Sequence, residues 1–355
     1  MAKVLSIVGA RPQFIKAAVV SKELRKVHKE VLVHTGQHYD YNMSEMFFHE
    51  LSIPKPNYNL GISGGSHAEM TARMMVAIEK VVLQEKPDWI LLYGDTNSTL
   101  AAALVAAKLH VPICHVEAGV RFHVMTNPEE INRVCVDHIS TKLLACTESS
   151  MDELTREGLS DRARLVGDPM YDAFCQYSEI ASIKNGELLD LSGNKVLVPK
   201  KFYYLTCHRE ENTNREGALY EILKAMNSLD SPTIYPVHPR NRMRALEIRE
   251  QFGFNNVIMT EPVGYLESIY LVNEAKKVVT DSGGLQREAF FAKKKCVTVL
   301  DFVVWPETMV GNRNQLAKPC CDEILERLNS EQILEADYLP FGDGKSALKI
   351  VKELS

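Results

Sequence analysis

Charged and small residues collect just after short apolar runs in this sequence, and their types suggest acid–base chemistry beside a bound anion. Gly9-Ala10-Arg11-Pro12 follows the run Val4–Val8, with Lys16 one helical turn on. Gly9 permits a tight turn, Pro12 suits the first position of a helix, and a helix start offers backbone N–H groups to an anion. Arg11 and Lys16 would add positive charge, although a surface turn with two solvated cations would read the same. Trp89–Tyr93 ends in Gly94-Asp95-Thr96-Asn97-Ser98-Thr99. Asp95 could cap the next helix, but Thr96, Asn97 and Ser98 could do so equally well. The run from Ile113 leads into Glu117-Ala118-Gly119, followed by Arg121. A glutamate at an apolar strand end is costly to bury unless paired, which makes Glu117 a candidate acid or base. Pro128-Glu129-Glu130-Ile131-Asn132-Arg133 opens a helix. Glu129, Asn132 and Arg133 share one of its faces. Acidic residues in a first turn also match the helix dipole.

The second half repeats the arrangement. Phe202–Thr206 ends in Cys207-His208-Arg209-Glu210-Glu211-Asn212, where His208 could move a proton or contact a phosphate. His238-Pro239-Arg240 follows Thr233–Val237, and Thr280 leads into Asp281-Ser282-Gly283-Gly284. Two glycines after a serine at a helix start form a phosphate cradle, with Ser282, Gly283 and Gly284 as its members. Glu288, one turn later, could reach ribose hydroxyls.

Other chemistries find less support. Gly9-Ala10-Arg11 is not G-x-G-x-x-G, so a nicotinamide cofactor gains nothing from it. His34 and His38, or His110 and His115, lack a third ligand at metal spacing, so no metal site is expected. Gly61-Ile62-Ser63-Gly64-Gly65 matches the letters of a nucleophile elbow, but no strand precedes it and no helix follows directly.

These residues need elements to position them. Strand-like runs at 4–8, 31–34, 89–93, 113–116 and 143–146 alternate with helical periods, the signature of a parallel sheet with crossover helices. A second series runs through 202–206, 233–237, 257–259, 277–280 and 296–300. The fold class is therefore α/β, with two doubly wound Rossmann-like domains facing each other across a cleft, and ligands bind at the carboxyl ends of such sheets. The boundary is expected at Gly167-Asp168-Pro169, giving domains 1–168 and 169–340, with 178–201 as an irregular connection. The 355 residues suit two domains, and the mixture of 45% hydrophobic and 25% charged residues is that of a globular protein. Forty-one basic residues against forty-six acidic ones leave a formal charge of −5, which argues against non-specific nucleic-acid binding. The N-terminal run is too short for a signal-peptide core, and the longest apolar run, 100–107, cannot span a bilayer. Eight scattered cysteines without a C-x-x-C pair read as free thiols in a reducing cytoplasm.

Taken in order, Gly9-Ala10-Arg11-Pro12…Lys16, Gly36-Gln37-His38, Gly94-Asp95-Thr96, His115-Val116-Glu117-Ala118-Gly119-Val120-Arg121, Pro128-Glu129-Glu130-Ile131-Asn132-Arg133, His208-Arg209-Glu210-Glu211-Asn212 and Thr280-Asp281-Ser282-Gly283-Gly284 resemble the non-hydrolysing UDP-N-acetylglucosamine 2-epimerases. The likeness covers nearly the whole chain. It implies the two-domain glycosyltransferase-B fold, with a C-terminal helix at about 341–355 returning to the first domain. It also implies interconversion of UDP-GlcNAc and UDP-ManNAc by elimination and re-addition of UDP, without a cofactor and for surface polysaccharide precursors. Asp95, Glu117 and Glu129 would then be the acid–base carboxylates, with His208 as their partner from the second domain. Arg11, Lys16, Arg133, His238, Ser282, Gly283 and Gly284 would hold the diphosphate or sugar, and Glu288 the ribose. Gln37, His38 and Arg73 would fall at a regulatory UDP-GlcNAc site, and a homodimer is implied.

The sequence departs from the family pattern in two places. Residues 122–127 form a shorter connection than in many members, and Val303-Val304 stands where a Thr-Glu pair is common. Arg11-Pro12-Gln13-Phe14 resembles the branch acting on UDP-2,3-diacetamido-glucuronate, which is the alternative substrate. A glycosyltransferase of the same fold, a hydrolysing relative and a non-catalytic sensor are the other readings.

Overall fold

The computed structural model describes residues 1–37, 47–183, 186–213, 215, 217–334 and 338–355. The chain divides into two compact units, Met1–Cys175 with Leu339–Ser355, and Gln176–Tyr338. The division falls inside the helix Pro169–Ser178, not at its start.

The first unit holds β1 (Lys3–Val8), β2 (Lys29–His34), β3 (Tyr58–Asn59), β4 (Trp89–Tyr93), β5 (Ile113–Ala118), β6 (Lys142–Ala145) and β7 (Ala163–Leu165) in the order β3-β2-β1-β4-β5-β6-β7. Every pairing in this sheet is parallel. The central strands are apolar almost throughout because helices cover both faces. Val4, Leu5, Ile90, Leu91, Leu92 and Ile113 are all buried. The chain steps from β1 outward to β3 and then resumes at β4 on the other side of β1. The strand order therefore reverses between β1 and β4, the position at which such sheets bind ligands outside the carboxyl ends.

Two residues tie the strand ends together at this reversal. A Cβ on Gly9 would lie 2.2 Å from both Ser98 Oγ and Thr35 Oγ1. Gly9 does not adopt a left-handed conformation. Glycine is required here by the close approach of Ser98 and Thr35, not by a left-handed backbone. The buried Gln13 accepts the N–H groups of Gly9 and Ala10 at 2.8 and 3.0 Å, and its Nε2 donates to the Tyr93 carbonyl at 2.7 Å. The start of the helix Arg11–Val27 is thereby locked to the end of β4.

The segment Leu339–Ser355 completes this unit. The Asp168 N–H donates to the Phe341 carbonyl at 2.9 Å. The Asp172 carboxylate accepts the N–H groups of Ser346 and Ala347 at 3.1 and 2.8 Å, capping the helix Ser346–Lys352. That helix packs on the helix Arg11–Val27.

The second unit begins with an antiparallel hairpin of β8 (Glu187–Leu189) and β9 (Lys195–Leu197). Residues 178–201 are thus not wholly irregular, as expected from composition. Strands of three residues show too little alternation to read, but Asp190 closes the turn by accepting the N–H groups of Ser192 and Asn194, each at 2.8 Å. The main sheet contains β10 (Tyr203–Thr206), β11 (Thr233–Pro236), β12 (Val257–Thr260), β13 (Val278–Thr280), β14 (Cys296–Thr298) and β15 (Asn314–Leu316). Its order is β12-β11-β10-β13-β14-β15, all parallel, so it reverses between β10 and β13. Leu205, Tyr235, Val279 and Val297 lie in the core between this sheet and the helices Ala218–Asn227 and Cys321–Asn329.

Candidate active site

In the first unit the carboxylates gather at the reversal. Glu117 is the next-to-last residue of β5, with φ of 71°, and the pairing of β5 with β6 slips between Val116 and Ala118 at that residue. A non-glycine residue in the left-handed region at a strand irregularity is strained backbone, and such strain concentrates at functional sites. The Glu117 side chain is buried, and its Oε2 lies 2.5 Å from Lys16 Nζ, itself only 2% exposed. Gly94, with φ of 60°, covers this pair: a Cβ there would stand 3.4 Å from Glu117 Oε1 and 3.6 Å from Lys16 Nζ. Lys16, expected on the diphosphate or sugar, pairs here with Glu117.

Asp95 forms an ion pair with Arg133. Asn132 Nδ2 donates to the Asp95 carbonyl at 2.8 Å. The Arg133 guanidinium stacks 3.8 Å from the Phe122 ring centre, and its Nε and Nη1 find no hydrogen-bond acceptor among the described residues. Glu130 Oε2 is 3.9 Å from Nη1, beyond hydrogen-bond reach. Buried guanidinium donors without an acceptor suit an incoming anion. The two adjacent glutamates divide their work. Glu130 is buried and accepts the N–H groups of Phe122 and His123 at 2.9 and 2.8 Å, which holds the 122–127 connection. The Glu129 residue is exposed at the helix start, next to the capping Asn127. Arg11 stacks 4.4 Å from the Phe47 ring centre.

Glu117, Cys146 and Asp168 are buried with ligand atoms within 4.8 Å of one another, the one grouping of metal-ligand type among the described residues. The ammonium of Lys16 supplies the positive charge at that point.

The second unit is organised around Asp281. One of its oxygens accepts the N–H groups of His208 and Arg209 at 2.8 and 2.9 Å, and the other lies 3.1 Å from His208 Nδ1. Asn212 Nδ2 approaches the same carboxylate at 3.3 Å and donates to the Val299 carbonyl at 2.8 Å. Burial alone would raise the Asp281 carboxyl, but the His208 imidazole and these N–H groups hold it down at about 2. Asp281 thereby fixes the loop after β10 beside the cradle after β13. There the Ser282 hydroxyl caps the helix Gly283–Phe291 by accepting the Leu285 N–H at 3.4 Å. The first N–H groups of any helix lack intrahelical partners, so those of Gly283 and Gly284 are the ones offered to an anion. A Cβ on Gly284 would meet only Ser282 Oγ, at 3.6 Å, whereas one on Gly283 would press on Val304 Cγ1 at 3.3 Å.

His238 stacks on His208 with ring centres 6.2 Å apart, and its Nδ1 accepts the Arg240 N–H at 3.3 Å. Glu288 is buried in the cradle helix, next to Arg287, whose guanidinium covers Trp305 at 4.1 Å. Val304 packs on the cradle while Val303 is 37% exposed. Asp281, Arg209 and Gln13 were not singled out by their types. A charged residue within Thr280-Asp281-Ser282, at the end of an apolar run, was the signal available for Asp281.

The expected regulatory residues hold loops. Gln37 Oε1 accepts the Ser98 N–H at 3.1 Å and its hydroxyl at 2.7 Å. Arg73 Nη2 donates to the carbonyls of Ser63 and Gly64 at 3.0 and 2.5 Å. His38 lies outside the described residues.

The family model for UDP-N-acetylglucosamine 2-epimerase matches residues 22–355. The chain is 46% identical, over 99% of both chains, to a UDP-N-acetylglucosamine 2-epimerase homolog of Methanococcus maripaludis. The chain belongs to the UDP-N-acetylglucosamine 2-epimerase family. A UDP-2,3-diacetamido-2,3-dideoxy-D-glucuronate 2-epimerase of Pseudomonas aeruginosa is 43% identical, again over 99% of both. Among solved structures, the Methanocaldococcus jannaschii UDP-GlcNAc 2-epimerase in complex with UDP-GlcNAc and UDP superposes with a TM-score of 0.86 at 36% identity, covering 99% of each chain. Members of this epimerase family are isomerases, and the two units are Rossmann-like domains of the glycosyltransferase-B type. No described helix is long and apolar enough to cross a membrane.

Proposed function

We propose that this protein interconverts UDP-GlcNAc and UDP-ManNAc by eliminating and re-adding UDP. The observation that carries the reading is the buried Glu117–Lys16 pair on strained backbone, beside the Asp95–Arg133 pair, in a chain of this family. The proton at C2 of the sugar is not acidic. One carboxylate takes it as the C1–O bond breaks, the bonding electrons leave with UDP, and a 2-acetamidoglucal remains. UDP oxygen then re-forms the bond to C1 while a proton is delivered to the opposite face of C2. Asp95, Glu117 and Glu129 supply the carboxylates for these transfers.

Charge on the departing diphosphate is met by the Arg133 N–H groups, by the helix start at Ser282-Gly283-Gly284, and by His208 as oriented by Asp281. Lys16 pairs with Glu117, Arg11 and His238 add contacts to the diphosphate or sugar, and Glu288 reaches the ribose. A homodimer and a cytoplasmic location complete the proposal, the latter in keeping with eight free cysteines.

Proton NMR with UDP-GlcNAc in D₂O, without added metal or cofactor, tests it. UDP-ManNAc carrying deuterium at C2 is the expected product. Accumulation of free UDP and sugar would indicate hydrolysis instead. Inert UDP-GlcNAc with turnover of UDP-2,3-diacetamido-glucuronate would transfer the mechanism to that substrate. The support for this second reading is the 43% identity to the Pseudomonas enzyme named for that substrate.

A further inference from the structure

Beneath the carboxylates of the first unit lies a buried ion chain that the reaction does not touch. His115 and Asp137 are both 0% exposed. His115 Nδ1 is 2.7 Å from Asp137 Oδ1, and its Nε2 is 2.7 Å from the Gly94 carbonyl. A backbone carbonyl can only accept, so Nε2 carries a proton. The other Asp137 oxygen accepts from Arg121 Nη1 at 2.8 Å and from the Gly119 N–H at 3.0 Å. The Arg121 guanidinium against that oxygen, with the Gly119 N–H, holds Asp137 as a carboxylate, which has no proton to give, so Nδ1 must donate as well and the ring is an imidazolium. Although burial would raise the Asp137 carboxyl, His115, Arg121 and the Gly119 N–H hold it below the usual carboxylate range. Arg121 passes on to Glu157 through contacts of 2.7 and 2.8 Å, and Glu157 also faces His138 at 3.7 Å near the surface. Two cations and two anions alternate from His115 to Glu157, so the chain carries no net charge into the interior.

Both ends of the buried pair hold backbone that carries a reacting group. Gly94 immediately precedes Asp95, and Gly119 lies two residues beyond Glu117. Gly94, Glu117 and Gly119 all have left-handed backbone, with φ of 60°, 71° and 79°. Conformations of that kind persist only where surrounding contacts over-determine them.

We propose that His115 and Asp137 are positioning residues: a buried imidazolium–carboxylate pair that fixes the turns bearing Asp95 and Glu117, and so sets turnover without meeting substrate. This rests on the reading of the site given above. His115→Asn keeps a donor toward Asp137 and loses the one toward Gly94, whereas His115→Gln places an amide N–H near Nε2. His115→Asn and Asp137→Asn are expected to lower kcat by roughly 10- to 100-fold, the scale of a small misplacement, with KM and the Kd for UDP nearly unchanged. His115→Gln is expected to recover much of the loss.

The wild-type protein supplies an independent readout. In ¹⁵N-histidine NMR, one ring should show two slowly exchanging N–H protons, and this ring should vanish from the spectrum of His115→Gln. A singly protonated ring at His115 overturns the proposal, as does unaltered kcat in folded His115→Asn and Asp137→Asn. Parallel loss of kcat and UDP affinity in both variants also overturns it, because the pair would then be general scaffolding. If the wild-type protein turns over neither UDP-GlcNAc nor the diacetamido sugar, the functional reading falls and the claim about turnover falls with it, whatever the ring shows.

Discussion

The two strand-order reversals present charge in opposite ways. In the first unit, charges are already paired: Glu117 with Lys16, and Asp95 with Arg133. The backbone there is strained, and the glycine over the pair is left-handed. In the second unit a single buried carboxylate, Asp281, gathers main-chain N–H groups and one imidazole, and the next helix start is left to face outward. Pre-paired side chains suit proton transfer, because their partners fix where each carboxylate stands. A rigid array of N–H groups suits a diphosphate, because it can meet the charge that grows on departing UDP without rearranging. Under the proposed reading the contrast teaches that the proton-transfer carboxylates belong to the first unit, while the second unit's main contribution is an anion cradle.

The sharpest way to break this contrast is to remove charge in each half and compare. Glu117→Gln and Asp95→Asn should each lower kcat by at least roughly 100-fold, the usual scale for losing a general acid or base, while UDP affinity by calorimetry is largely retained. A comparable loss of UDP affinity would erase the division. Ser282→Ala should do the reverse, raising the Kd for UDP by roughly 10-fold, as for one charge-assisted hydrogen bond, with less effect on kcat at saturation.

The adjacent glutamates offer a finer comparison. Glu130→Gln should weaken folding by about 1–2 kcal/mol, since two part-buried N–H groups lose a charged acceptor. Glu129→Gln should leave the melting temperature unaltered and lower turnover. Equal melting temperatures for the two variants would contradict the assignment of Glu130 to the loop.

The pH dependence of stability supplies the next test. Asp281 is held at about 2 in the folded protein, below its ordinary value of 3.8. The stability it contributes is therefore complete above about pH 4 and is lost as pH falls toward 2. Denaturant midpoints between pH 2 and 5 should slope less steeply for Asp281→Asn than for the wild type. The smallest effect concerns the thiols: Cys135, Cys175 and Cys320 should react with a thiol reagent in the native protein, while Cys114, Cys146, Cys207, Cys296 and Cys321 wait for unfolding.

Much of this fold was legible because buried parallel strands are written as apolar runs, and each run ends where a polar residue must leave the sheet. Trp89–Tyr93 before Gly94-Asp95 and Lys277–Thr280 before Asp281 are such places. Short elements were not legible. β8 and β9 have three residues each, and the helix Cys321–Asn329 follows directly on a loop rich in Cys, Lys and Pro. Within the site, types and spacing suggested which residues matter but not how they pair. Lys16 looked like an anion ligand because burial cannot be read from one helical turn, and Glu117 supplies the reason it is buried. The same limit hid Asp281, whose importance lies in three main-chain and side-chain partners on a loop about seventy residues earlier.

The helix that carries Arg11 and Lys16 gets its outer cover from residues made after the whole second unit. Ala347, Ile350 and Val351 are buried in the segment that packs there. At ribosomal speeds of about 5–20 residues per second, the nascent first unit waits on the order of 10 s with that flank bare. Synthesis thus acts as a timer: the helix Arg11–Val27 is covered on that flank only when translation has already delivered the cradle around Asp281.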